Sequence, residues 1–268
     1  MTLAPPTFLM AHAVLGFSGP LSRAPAQSEI LAAALREAFP NVVARPYLTQ
    51  DVPAQTPHLT LASTSSQLAV SAFQADFEVR FYGDYLTDVP RSLDYVEAKL
   101  LAVLHGLRAI ETVPSLVGLI GTFHFAVDGA EDGVAAGHIL DTHLQTSVDR
   151  SAVADALVRV AVRVRDTYFV SLTLGNYEFR TFERPIMPGM QQIRLSPWEG
   201  KVQERGLELT LDINNNLEGR TLHRDPVVTE QGVRAVTRLL RDVALTTGPT
   251  FAESGVVDVP SLTASVTI

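Results

Sequence analysis

The stretch "FQADFEVRF", residues 73–81, alternates without a break: Phe73, Ala75, Phe77, Val79 and Phe81 are set against Gln74, Asp76, Glu78 and Arg80. A period of two sends successive side chains to opposite sides of an extended backbone, so the segment predicts a strand with one apolar and one polar face. Such a strand needs hydrogen-bonding neighbours along its edges and a cover on its apolar face only. That requirement constrains what the rest of the chain must supply.

Other stretches follow the same pattern. "LVRVAVRV" (157–164) sets Val158, Val160, Val162 and Val164 against a basic stripe of Arg159 and Arg163, which Arg165 extends. "SLVGLIGTFHFAV" (115–127) puts Phe123, Phe125 and Val127 on one side and His124 on the other. "HLTLAS", "VVARPYL", "GLELTLDI" and the apolar opening "MTLAPPTFLMAHAVLGFSGP" read as further strands, and the tail "VVDVPSLTASVTI" as a weak one. In "LTLGNYEFRTFE" the pair Gly175-Asn176 predicts a tight hairpin turn, because both residues tolerate positive φ.

Three segments change to helical period. "EILAAALREAF" has Ser28 as its N-cap candidate and ends at Pro40. "RSLDYVEAKLLAVLHGL" repeats Leu93, Val96, Leu100, Leu104 and Leu107 at three or four residues. "EQGVRAVTRLLRDVALTT" follows a capping Thr229 and meets a stop at Gly248-Pro249. Strands followed by a long helix occur in each half of the chain. The order predicts an α+β protein of antiparallel sheets covered on one side by helices, arranged as two pseudo-repeated halves, 1–150 and 151–268, that can form one continuous domain. The seam lies in the polar stretch from Gly129 to Arg150.

A chain of 268 residues with 46% apolar and 19% charged residues buries enough surface to fold without staples. It has no cysteine, which excludes disulfides, thiolate metal sites and a thiol nucleophile. The net charge of −8 opposes nucleic acid and anionic lipid, and no basic leader precedes the first apolar stretch, so a cytoplasmic protein is expected. Only Lys99 and Lys201 among the 21 basic residues are lysines, a bias that fits a GC-rich bacterial genome.

Two of the seven histidines fall in "HILDTH", 138–143. Metal ligands must converge on one point. A regular helix puts His138 beside Asp141 and leaves His143 well round the cylinder, while a strand splits the set between faces. An irregular loop could gather His138, Asp141 and His143, with His124 as a fourth ligand, into a zinc or non-heme iron site. The plainer expectation is a solvated connector leading into a strand. "LDINNNLEGR" fails as a calcium loop, because Leu217 occupies the place of the turn glycine and His223 that of the bidentate glutamate. "GFSGP" lacks the second glycine of a nucleophile elbow, and no phosphate loop or dinucleotide fingerprint is present. No cofactor is expected.

The arginine face could receive an anion, or the acidic stripe of Asp76 and Glu78 within the chain or across subunits, and pairing is the preferred reading. "ERPIMPGMQQIRLSPWEGK" (183–201) holds Met187, Met190 and the single tryptophan, Trp198, beside prolines, a composition suited to an adaptable contact surface.

The order "EAFPNVVARPYL", "SSQLAVSAFQADFEVRFYGDYL", a helix, "SLVGLIGTFHFAV", then "LELTLDINNN" and "VTEQGVRAVTRLLRDVALTTGPTFAESG" resembles a sporadically distributed bacterial family of conserved-hypothetical proteins. The outline is also similar to SecB-like export chaperones, which bind exposed apolar segments, although no SecB motif is present. The resemblance brings no catalytic residues with it. These readings lead to a non-catalytic bacterial interaction protein that works as a homo-oligomer or a complex subunit, with stress or phage defence as candidate settings. The alternative is a metal-dependent hydrolase or oxygenase built on His138, Asp141 and His143.

Overall fold

The computed structural model describes residues 3–22, 24–44, 53–127, 133–144, 153–181, 200–216 and 226–265. Among them nine strands form one antiparallel sheet: β1 Thr7–Gly16, β2 Asn41–Ala44, β3 Leu59–Ala62, β4 Ser66–Val70, β5 Gln74–Arg80, β6 Leu116–Ala126, β7 Leu157–Val164, β8 Tyr168–Thr181 and β9 Lys201–Asn214. Their spatial order is β2-β3-β4-β5-β1-β6-β9-β8-β7. The sheet therefore continues through both halves of the chain, joined where β6 pairs with β9. Among the described residues six strands precede residue 150 and three follow it, an arrangement that does not display the expected repeat. The boundary near residue 150 lies outside the described residues.

One face of the sheet is apolar and carries every long helix. Ala75, Phe77 and Val79 of β5, Val117, Leu119, Phe123 and Phe125 of β6, and Leu207, Leu209, Leu211 and Ile213 of β9 are all buried there. Phe73 stands outside the alternation as the structure has it: β5 begins at Gln74 and Phe73 is 41% exposed in the turn before it. Helix α1 (Pro25–Ala34) and the long α3 (Val89–Ala109) cover the side of β1 and β3, with the short α2 (Asp84–Thr87) between β5 and α3. Helix α1 starts at Pro25, so Ser28 is an interior, buried residue rather than the cap. Asp88 caps α3 by accepting from the Arg91 amide at 3.1 Å, and α3 buries the leucine and valine stripe that its period announced.

Helix α5 (Glu230–Asp242) lies antiparallel to α3 over β6 and β9, capped by Thr229 Oγ1, which accepts from the Gly232 amide at 3.1 Å. Charge laces the helix seam: Glu97 accepts from Arg234 and Thr237, both at 2.7 Å, Asp94 pairs with Arg241, and Glu230 meets His105 and Arg108. Gly248-Pro249 does not end this run. The chain passes through a π turn, Val243–Thr247, and then α6 (Gly248–Ser254) starts at the glycine with Pro249 in its first turn, where a missing N–H costs nothing. The tail forms helix α7 (Val259–Ser265) instead of a strand: the Asp258 carboxylate takes the Ser261 amide at 3.2 Å, and Pro260 sits in the first turn. No helix among the described residues is long and apolar enough to cross a membrane.

Candidate functional site

The polar half of each strand is displayed on the face that none of the described helices covers. Cross-strand register defines rows across it, since directly paired residues point to the same side. One row runs Asp76, Val14, Gly118, Asn214, Phe169 and Arg163, from β5 through β1, β6, β9 and β8 to β7. The next runs Glu78, His12, Ile120, Asp212, Ser171 and Ala161. On this face β5 carries Asp76 and Glu78 followed by Arg80, the middle of the first row is nearly uncharged, and β7 is basic; Arg80 and Arg159 stand at the two ends of a third row through Met10, Thr122, Thr210 and Thr173.

Arg159 and Arg163 are exposed on β7, an edge strand, and Arg159 Nε donates to Ser171 Oγ at 2.9 Å. Arg165 leaves the predicted stripe. Strand β7 ends at Val164, and Arg165 takes φ 53° in the short turn into β8, the actual hairpin. Gly175-Asn176 is not a turn: β8 runs straight through it, paired on both sides, and Asn176 Oδ1 accepts from the Ala156 amide at 2.8 Å. Pairing of the arginines with Asp76 and Glu78 inside one chain is excluded by distance. Four strands lie between β5 and β7, which at ~4.8 Å per step separates them by ~24 Å. Within the chain, Asp76 is met by Gln74 Nε2 at 2.9 Å and by His12 Nε2 at 3.5 Å, and Arg80 Nε donates to Glu78 at 3.2 Å. The hydrogen bond to Asp76 holds the His12 pKa above its ordinary value, against the opposing effect of burial.

His124 lies on this same face. Its Nε2 is 3.0 Å from Glu208 Oε2 on the neighbouring strand, and its ring stacks on Tyr177 at 3.7 Å. The bond to His124 holds the Glu208 carboxyl below its usual range. Tyr177 reaches His124 by crossing over Gly206, its paired residue on β9, and its hydroxyl ends on Glu204. Burial, and then the bond to Glu204, push the Tyr177 pKa far up. Neither Glu208 nor Tyr177 was singled out from the sequence. Alternation placed Glu208 on the polar side of its strand, but which strand would lie beside it is not a local property.

"HILDTH" is neither loop nor strand. Val134–Ile139 forms helix α4, which widens into a π turn at Leu140–Leu144. A π turn closes over five residues rather than four, and His138 and His143 stand five apart. Their rings come together, 6.5 Å between centroids, packed against α6, with His138 Nε2 2.7 Å from the Ala252 carbonyl and His143 edge-on to Phe251 at 4.8 Å. Asp141 is exposed, and His124 is occupied with Glu208 and Tyr177 on the open face. Among the described residues no three histidine, aspartate or glutamate side chains gather around one point. The His143 Nε2 is buried without a hydrogen-bond partner, and burial, then the neighbouring His138, hold its pKa below the ordinary value. Met187, Met190 and Trp198 lie outside the described residues.

Fold and face together define an α+β protein whose single antiparallel sheet is covered by helices on one side. The chain matches no protein family and no curated protein.

Proposed function

We propose that this chain is a non-catalytic bacterial interaction protein that works as a homo-oligomer or complex subunit, with the open sheet face as its contact surface and a second copy as the occupant. The observation that carries the reading is the placement of charge along one row, Asp76 at one end and Arg163 at the other. A two-fold axis parallel to the strands and passing between β6 and β9 lays β5 over the partner's β7, β1 over its β8 and β6 over its β9. Asp76 of each copy then covers Arg163 of the other, twice by symmetry, as an isologous contact requires, while Arg80, paired with Glu78 of its own chain, faces the partner's Arg159 in the third row. An axis across the strands would instead lay acid on acid.

The area is adequate. Six strands at ~4.8 Å and eight residues at ~3.3 Å give ~750 Å² per partner, near the ~800 Å² of a standard interface. Val14, Ile120 and Phe169 supply the apolar centre, and sheets stacked in this way pack with their strands nearly aligned.

Light scattering on a sizing column tests the reading. The wild type is expected to run as a dimer. Arg163→Glu replaces attraction by repulsion at two symmetric sites. At ~0.2–1 kcal/mol for each exposed pair, its dimer is weakened by ~1–3 kcal/mol, or about 5- to 150-fold. Asp76→Arg in the same chain restores it. A wild type that stays monomeric at high concentration, or an Arg163→Glu chain that dimerises unchanged, overturns the proposal.

A further inference from the structure

At the edge of that face, the β3–β4 hairpin, the end of β5 and the start of α3 enclose a cleft of about 470 Å³. Its volume is in the range of small-molecule sites, ~300–1,000 Å³. The chemistry of its walls is one-sided. Phe81, Tyr82, Tyr85 and Tyr95 give it flat apolar surface, Lys99 and Arg80 give it positive charge, and none of the described lining residues is acidic. Glu78, on the neighbouring strand position, accepts from Arg80 Nε.

The polar end is tightly organised. The Ser63 and Ser66 hydroxyls lie 2.7 Å apart, and the Tyr95 hydroxyl lies 3.1 Å from the first and 2.9 Å from the second. Lys99, one turn further along α3, points its ammonium at the rings of Phe39 (4.6 Å to the centroid) and Tyr95 (5.2 Å) and donates one hydrogen to the Ala38 carbonyl. An ammonium carries three donors, so two are not spent on that carbonyl. Arg91 stacks on the outer wall, 4.4 Å from the Tyr85 ring centroid. Burial resists ionisation of Tyr95, yet its bonds to the serines and the charge of Lys99 outweigh that effect and hold its pKa below the ordinary value. The site stabilises negative charge even on its own tyrosine.

An aromatic enclosure often holds a cation, but here the cations are already built into the walls and would repel another. Two remaining ammonium donors and a few hydroxyls match the single charge of a carboxylate better than the double charge of a phosphate monoester. We infer that this cleft binds a small aromatic carboxylate, with its ring against Tyr82, Tyr85 and Tyr95 and its carboxylate on Lys99 and the hydroxyls of Ser63 and of Ser65, which lines the same hairpin end of the cleft. The site meets the two-fold contact proposed above only at Arg80, and the ligand contacts named here do not depend on that proposal.

Titration calorimetry on the full chain tests it with three probes: 2-naphthoate, its uncharged analogue 2-naphthamide, and inorganic phosphate. Saturable one-site binding of 2-naphthoate is expected, with 2-naphthamide at least tenfold weaker and phosphate unable to compete. Lys99→Met should weaken 2-naphthoate tenfold or more and leave 2-naphthamide nearly unchanged. Should Lys99→Met fail to fold, Tyr82→Ala serves, because that side chain stands at the mouth and is 68% exposed; it should weaken both aromatic probes several-fold. Absence of saturable 2-naphthoate binding at millimolar concentration overturns the inference. So does equal binding of acid and amide, which would mark a greasy surface without charge recognition. Competition by phosphate would reassign the cleft to phosphate-bearing ligands and overturn the carboxylate reading.

Discussion

Replacing Gly206 by alanine tests how β6, β9 and β8 are locked together. Gly206 is buried at the start of the β6–β9 ladder, opposite Ala126 on one side and Tyr177 on the other. A Cβ there would fall far inside van der Waals contact with the Phe125 carbonyl oxygen and 2.8 Å from Tyr177 Cε1. The first obstacle is backbone, so the strands must part. The adjoining bond from the Val127 amide to the Arg205 carbonyl, now 3.0 Å, opens with them, and Tyr177 is lifted off His124. Overpacking of ~1–3 kcal/mol plus one or two ladder bonds at ~0.5–1.5 kcal/mol each gives ~1.5–6 kcal/mol. At ~2–4 °C per kcal/mol for a chain of this size class, the Tm falls by ~3–24 °C. Gly118→Ala is the control on the same face, because its Cβ would meet only Asn214 Cβ at an ordinary 3.6 Å; it should stay within ~0.5 kcal/mol of wild type. Chemical denaturation of the three proteins reads both numbers. A Gly206→Ala chain within ~1 kcal/mol of wild type, or one that merely equals Gly118→Ala, would refute the argument.

Two further outcomes follow from the caps and histidines. The lowered pKa of His143 means that the unfolded chain takes up a proton before the folded one does, so its contribution is present above ~6.5 and lost as pH falls through the folded value. His12, raised by Asp76, has the opposite sign: its stabilisation is full below ~6.5 and disappears as pH rises through its folded value. Denaturation between pH 8 and 5 should show His143→Met losing less stability on acidification than wild type and His12→Gln losing more; equal slopes would contradict both assignments. Thr229→Ala removes the cap of α5 and should cost ~1 kcal/mol, with faster hydrogen exchange at the Gly232 amide, while Thr229→Ser should be nearly silent.

What could be read from the sequence was what depends on near neighbours. The stripe of α3, the Thr229 cap and the alternation of β5 from Gln74 and of β6 are periodic or adjacent signals, and each appears where its residues predict. Gly175-Asn176 misleads because its turn preference is local, whereas pairing with β7 on one side and β9 on the other decides the outcome. The tail misleads through its β-branched residues, although Asp258 and Pro260 already formed a helix start. His138 and His143 could not be paired on a period of 3.6, because only the widened turn at Leu140–Leu144 brings them together. The cleft beside Tyr95 was invisible for a different reason: its serines are about thirty residues away along the chain.

The single seam between β6 and β9 also sets a timetable for biogenesis. The Val117 amide receives its acceptor from Asn215, 98 residues further on, so the outer edge of β6 emerges with nothing to bond. At ~5–20 residues per second on the ribosome, that edge waits ~5–20 s for its partner strand. During this interval the nascent chain offers an open template to any extended segment nearby, and crowding by sister chains on one message is the hazard the cell must manage.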